Sequence, residues 1–212
     1  MKPLLAFLSA ALLAAPSIAA DVAVPTQGSK ETGAKETAAK EFTVGDPAPE
    51  WKDLIGVDDQ KHSLSELKDA KAVVVVFTCN HCPVAYAYED RIIELAAAYK
   101  DKGVELVAIN INNMEDDKLP AMKTRAEEKD YKFNYLYDPT QEIGRAFGAT
   151  VTPHAFLIDG ERKLAYVGSI DDNMEAEKVE KHYLRDAIDA VLAGTKPETD
   201  STKPAGCGIQ YE

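Results

Sequence analysis

Val73-Val74-Val75-Val76-Phe77-Thr78-Cys79-Asn80-His81-Cys82-Pro83 decides how this chain of 212 residues is read. Four valines and a phenylalanine in a row are β-branched or aromatic, the pattern of a strand covered on both faces. The run empties into a C-x-x-C. Pro83 suits a first helical turn, where its missing N–H and fixed φ cost nothing. Val84, Tyr88, Ile92, Leu95 and Tyr99 then continue at helical spacing. Cys79 is therefore expected near a helix N-terminus, where unpaired N–H groups and the positive end of the helix dipole favour a thiolate. On this reading Cys79 is the nucleophile, Cys82 lies within reach of a mixed disulfide on it, and a protonated His81 lowers the thiol pKa further.

Two plainer uses of the pair compete. Half of a zinc site would need a second set of ligands at comparable spacing, and His62, His154, His182 and Cys207 are scattered along the chain. A purely structural bridge across so short a loop would stabilise little by chain entropy.

Working outward, Gly103 precedes a second apolar strand at 104–110, so strand, helix and strand form a unit that implies parallel pairing. Upstream lie a strand near 51–54, a turn at Asp58-Asp59-Gln60, and a short strand or helix entry over 62–67. Downstream come a charged helix over about 118–129, a strand at 133–137, and a short helix over 140–147 ended by Gly148. Runs at 154–158 and 163–167 flank Asp159-Gly160 and predict an antiparallel hairpin. A last amphipathic helix carries Val179, Tyr183, Leu184, Ala187, Ile188, Val191 and Leu192 and stops at Gly194. Parallel strands first and a hairpin last define a mixed α/β fold. Pro153 is either a strand-entry device or the second residue of a cis peptide after Thr152, opposite the C-x-x-C.

The ends read differently. Residues 1–20 resemble a secretory signal, with Lys2 as basic start, an apolar core from Leu4 to Ala15, and small residues around Ser17-Ile18-Ala19 for cleavage. Uncleaved anchoring by this segment is the alternative, and no membrane span is expected after cleavage. Residues 21–41 repeat Lys-Glu-Thr at a five-residue step with almost no apolar bulk, a flexible tether. The folded domain is expected over 42–194, followed by a tail at 195–212 that carries Cys207. Export would put the cysteines in a periplasmic or other extracytoplasmic compartment where disulfides persist. A net charge of -12 and a pI near 4.8 argue against a nucleic-acid partner and against anionic membrane surfaces.

Taken together, Gly45-Asp46-Pro47-Ala48-Pro49, Ser63-Leu64-Ser65-Glu66-Leu67, Phe77 to Pro83 and Thr152-Pro153 resemble the redoxin group of thioredoxin-fold proteins, related to the alkyl hydroperoxide reductase and thiol-specific antioxidant family. The resemblance runs from about Phe42 to Asn173. It implies a thioredoxin-like three-layer fold, a central mixed sheet flanked by helices, with an N-terminal strand or hairpin extension. It also implies an extracytoplasmic thiol-disulfide oxidoreductase in which Cys79 attacks a substrate disulfide, Cys82 resolves the mixed disulfide, and Thr152 and cis-Pro153 present backbone to a bound peptide. Asn80 and His81 support the pair. No cofactor or metal is implied, and the partners would be protein thiols or disulfides and a redox partner of unknown identity.

The chain departs from the family pattern in two places. Thr78 replaces the Trp that thioredoxins carry before the first cysteine, and Ala85 stands where many relatives place an acid, which leaves Glu89 and Asp90 as candidate proton acceptors. Extracytoplasmic disulfide oxidants of this fold also place His before the second cysteine, so His81 points to the oxidising half of a range from about -270 to about -120 mV. A thiol peroxidase is the rival enzyme, although Val76 stands where peroxiredoxins carry a Thr. A copper carrier using Cys79, Cys82 and His154 is the rival binding protein. Cys207 is odd in number and sits between glycines, an incidental thiol, one half of an intermolecular bridge, or a third redox thiol delivered to the pair by the tail. His62, His182, Trp51 and the tyrosines are assigned to turns, helix faces and packing.

Overall fold

A computed structural model describes residues 42–212, and the signal and tether expectations for 1–41 lie outside them. The valine run forms a central strand whose six residues are all buried. In chain order the strands and helices are β1 (Leu54–Gly56), β2 (Lys61–His62), β3 (Ala72–Phe77), α1 (Pro83–Lys100), β4 (Val104–Asn110), α2 (Leu119–Glu128), β5 (Asn134–Tyr137), α3 (Glu142–Phe147), β6 (Val151–Thr152), β7 (His154–Asp159), β8 (Leu164–Gly168), α4 (Tyr183–Leu192) and β9 (Cys207–Gly208). Seven strands make one mixed sheet in the order β2-β1-β5-β4-β3-β7-β8, with β3 parallel to β4 and antiparallel to β7. The β1–β2 hairpin extends the sheet at its β5 edge.

Alternation along β3 builds two cores. Val74 and Val76 face Tyr88, Ile92, Leu95 and Tyr99 of α1 and Leu184, Ala187 and Ile188 of α4. Val73, Val75 and Phe77 face the opposite way, toward Trp51, Leu64, Phe147 and Phe156, where Phe77, Phe147 and Phe156 meet edge to face. Helix α2 packs Met122 and Ala126 against Ala108 and Tyr135. These are the three layers and mixed sheet that the sequence implies, and Trp51 is a packing residue.

The element ends differ from expectation for local reasons. Trp51 turns into the core and its carbonyl accepts from the Leu64 N–H, so the first strand starts at Leu54 instead of ending there. Val179 carries the apolar repeat of α4 but sits in extended backbone after a 3-10 turn at Ala176–Lys178, and the helix begins only at Tyr183. Gly148 ends α3 at φ 67°, a left-handed conformation that glycine adopts without cost.

The tail packs on the domain. Strand β9 pairs antiparallel with β6, setting Cys207 opposite Thr152 and Gly208 opposite Val151. The Ile209 N–H donates to the Thr150 carbonyl, the Tyr211 hydroxyl to the Ala149 carbonyl, and the Gln141 amide to the Gln210 carbonyl.

Candidate active site

The site lies where β3 ends. The Thr78 N–H still donates to the Ile109 carbonyl and so continues the β3–β4 ladder by one residue. Beyond it, the turn through Asn80 and His81 is tied to a loop rather than to the sheet. The Asn80 N–H donates to Asp117 Oδ1 at 2.7 Å, the Asn80 amide donates to the Asp116 carbonyl at 2.7 Å, and the Tyr135 hydroxyl donates to Asn80 Oδ1 at 3.0 Å. His81 Nδ1 pairs with Asp117 Oδ2. The Asp117 side chain is fully buried, and Asn110 Nδ2 donates to its Oδ1 at 3.3 Å. A carboxylate withdrawn from water this completely needs such donors, since an unpaired buried charge would cost roughly several kcal/mol.

Cys82 is the N-cap of α1, accepting from the Ala85 N–H at 3.4 Å, with Pro83 as the first helical residue. Its sulfur is bonded to that of Cys207, 125 residues away in sequence. Cys79 keeps a free thiol, buried at 3% exposure. Thr152 touches both partners: its hydroxyl is 3.1 Å from Cys79 Sγ, and its carbonyl oxygen lies 3.3 Å from Cys82 Sγ. The peptide between Thr152 and Pro153 is cis. Cys79, Cys82 and Ala85 form one buried cluster against which Cys207 packs.

The electrostatics of Cys79 correct the sequence expectation of an activated thiolate. Burial pushes its pKa up to about 11; the Thr152 hydroxyl lowers it, and the nearby Asp117 carboxylate raises it. The helix cap expected to activate it is three residues further on, at Cys82, and His81 is turned to Asp117. With the Cys82–Cys207 bridge in place, burial therefore favours the protonated thiol form of Cys79 at neutral pH.

The remaining candidates separate clearly. Asn80, His81 and Thr152 are at the site. Glu89 is buried but committed to Arg125, whose Nε donates at 2.7 Å, and to the Tyr131 hydroxyl, whereas Asp90 is exposed and pairs with Lys129. Neither carboxylate is placed to serve Cys82. Among the described residues, Cys79, His81 and Asp117 bring one ligand atom each within 4.8 Å, but the Asp117 oxygens are already occupied by the donors above. His154, the histidine of the copper reading, is not in that group. Its ring packs on Phe156, its Nε2 is buried without a partner, and burial pushes its pKa down to about 4. Val76 is buried within β3 and brings no hydroxyl toward Cys79.

Sequence reasoning missed Asp117. It closes the acidic run Glu115-Asp116-Asp117, and its burial depends on contacts outside that run, with Asn110 of β4 and with Asn80 and His81 of the turn.

The Redoxin family model matches residues 43–183. The thiol-disulfide oxidoreductase ResA of Bacillus thuringiensis subsp. konkukian is 29% identical over 144 residues, 66% of this chain and 76% of that protein. Two crystal structures of uncharacterised proteins superpose closely. One, from Geobacillus kaustophilus, has a TM-score of 0.75 and 37% identity over 82% of this chain and 94% of its own. The other, a hypothetical protein from Sinorhizobium meliloti 1021, has a TM-score of 0.76 and 32% identity over 81% and 96%.

Proposed function

The chain belongs to the redoxin family, and from that footing we propose that it is an exported thiol-disulfide oxidoreductase acting on protein thiols and disulfides. One observation carries the reading: a free thiol, Cys79, packs in one buried cluster with a disulfide that includes Cys82 of the same C-x-x-C. These are the two reactants of thiol-disulfide exchange.

Starting from the reduced form, the Cys79 thiolate attacks one sulfur of a substrate disulfide. A bond forms between Cys79 and that sulfur, the substrate S–S bond breaks, and the other substrate sulfur leaves as a thiolate that takes up a proton. The Cys82 thiolate then attacks Cys79 Sγ, a Cys79–Cys82 bond forms, and the second substrate sulfur leaves. The substrate is reduced by two electrons and the enzyme is oxidised by two. The same steps reversed oxidise a dithiol. Thr152 positions Cys79 through its hydroxyl, and Asp117 fixes the intervening turn through the Asn80 N–H and His81.

Export rests on the signal-like residues 1–20; among the described residues, no helix is long and apolar enough to cross a membrane. The reading is tested with a disulfide-bonded peptide and the three-cysteine domain, followed by mass spectrometry. Cys79→Ser should slow exchange at least tenfold, and Cys82→Ser should trap a mixed disulfide on Cys79. Full exchange by Cys79→Ser, or rapid peroxide consumption without peptide exchange, refutes the proposal.

A further inference from the structure

Cys207 is bonded to the resolving cysteine of the pair, yet its segment is built as part of the site. Strand β9 places Cys207 in register with Thr152, the residue that touches both Cys79 and Cys82. Gly206 makes that approach possible: a Cβ there would come within 2.2 Å of the Thr152 carbonyl oxygen, which is backbone and cannot move aside. Gln141, from the start of α3, holds the end of the tail twice, donating to the Gln210 carbonyl at 2.8 Å and accepting from the Glu212 N–H at 2.8 Å. Ile209 is buried in the aromatic core. Cys79 and Cys207 thus converge on one sulfur, Cys82 Sγ, and the two possible bridges exclude each other.

We infer that Cys207 is a second resolving thiol that receives the disulfide from the Cys79–Cys82 pair. The inference rests on the exchange reading above. The Cys207 thiolate attacks Cys82 Sγ, the Cys82–Cys207 bond forms, the Cys79–Cys82 bond breaks, and Cys79 leaves as a thiolate that takes up the proton Cys207 gave up. The number of disulfides is unchanged, so no external oxidant or reductant is consumed. The consequence is a division of labour. Cys79, nearly inaccessible and protonated in this state, is removed from contact with substrate while the oxidising equivalent is stored one bond further out. Cys82 is fully buried and Cys207 only partly so, which makes Cys207 Sγ the sulfur that a reducing dithiol partner attacks to reset the enzyme.

The order of bridge formation tests this. The fully reduced domain, carrying all three cysteines, is mixed with one equivalent of oxidised glutathione, quenched in acid at intervals, unfolded in denaturant and alkylated there, and mapped by mass spectrometry without reduction. The Cys79–Cys82 bridge should rise first and then give way to Cys82–Cys207, with Cys79 becoming alkylatable. Cys207→Ser should stop at Cys79–Cys82, and Cys79→Ser should form Cys82–Cys207 at least tenfold more slowly than the unmodified domain. Formation of Cys82–Cys207 in Cys79→Ser at the unmodified rate overturns the relay and makes the bridge a directly oxidised structural one. A final state of Cys79–Cys82 with alkylatable Cys207 in the unmodified domain also overturns it, while leaving the exchange reading intact. If Cys207→Ser forms no Cys79–Cys82 bridge, the exchange reading itself fails.

Discussion

Bridging Cys82 to Cys207 should change the stability of the domain far more than bridging Cys79 to Cys82. The Cys79→Ser variant isolates the long bridge, since it leaves two cysteines. The bridge spans 125 residues, and the loop-entropy relation gives about 16 cal/mol/K, or about 5 kcal/mol at 25 °C, removed from the unfolded chain. The same relation gives about 2 kcal/mol for the short loop between Cys79 and Cys82, isolated in Cys207→Ser. With a urea dependence of about 2 kcal/mol per molar, the midpoint difference between oxidised and reduced protein should be about 2.5 M in Cys79→Ser and about 1 M in Cys207→Ser. Trp51 is the single tryptophan and is buried in the core, so its fluorescence reports the transition. Each variant is compared with itself, which cancels the effect of the substitution on packing. Oxidised and reduced Cys79→Ser melting within about 0.5 M of each other would refute the reasoning, because a bridge enclosing β4 to β8 would then leave the unfolded chain unconstrained.

Other outcomes follow from single contacts. His154 is held neutral by burial, with a folded pKa of about 4 against an ordinary 6.5, so its contribution is present above pH 6.5 and is lost as pH falls toward 4; the loss should be on the order of 3 kcal/mol and should vanish in His154→Phe, as denaturant melts at several pH values will show. In a Cys207→Ser background, His81→Ala should make the Cys79–Cys82 couple more reducing, because the Asp117 carboxylate, which already disfavours the Cys79 thiolate, then loses its His81 partner. A fall of about 30 mV corresponds to a tenfold change in the exchange constant with glutathione, and an unchanged midpoint rules the effect out. Gly206→Ala should cut the yield of Cys82–Cys207 at least tenfold on disulfide mapping, since its Cβ meets the Thr152 carbonyl; an unaltered yield would show that β9 docks without that close approach.

The parts of the fold that can be read in advance are those whose pattern is local. The valine strand, the helix after Pro83 and the hairpin around Asp159-Gly160 each announce themselves within a dozen residues, and the structure places them within a residue or two. A cis peptide after Thr152 opposite the C-x-x-C can be read in advance, whereas the contact of the Thr152 hydroxyl with Cys79 cannot. What is not readable depends on distant neighbours. The helix start suggests an acidic Cys79, but the cap falls on Cys82 and burial dominates. Asp117 hides in an acidic run, and the partner of Cys207 depends on a two-residue strand that no periodicity reveals. Glu89 looks like one more charge on a helix face, whereas Arg125 and Tyr131 draw it inward.

The distance in sequence between Cys82 and Cys207 is also a distance in time. A ribosome adding about 5–20 residues per second needs roughly 6–25 s to make the 125 residues that separate them. Throughout that interval Cys79 is the only possible partner of Cys82 within the chain, because the third cysteine does not yet exist. The newborn protein therefore passes through a two-cysteine stage, and it acquires its third thiol only once the last strand has arrived.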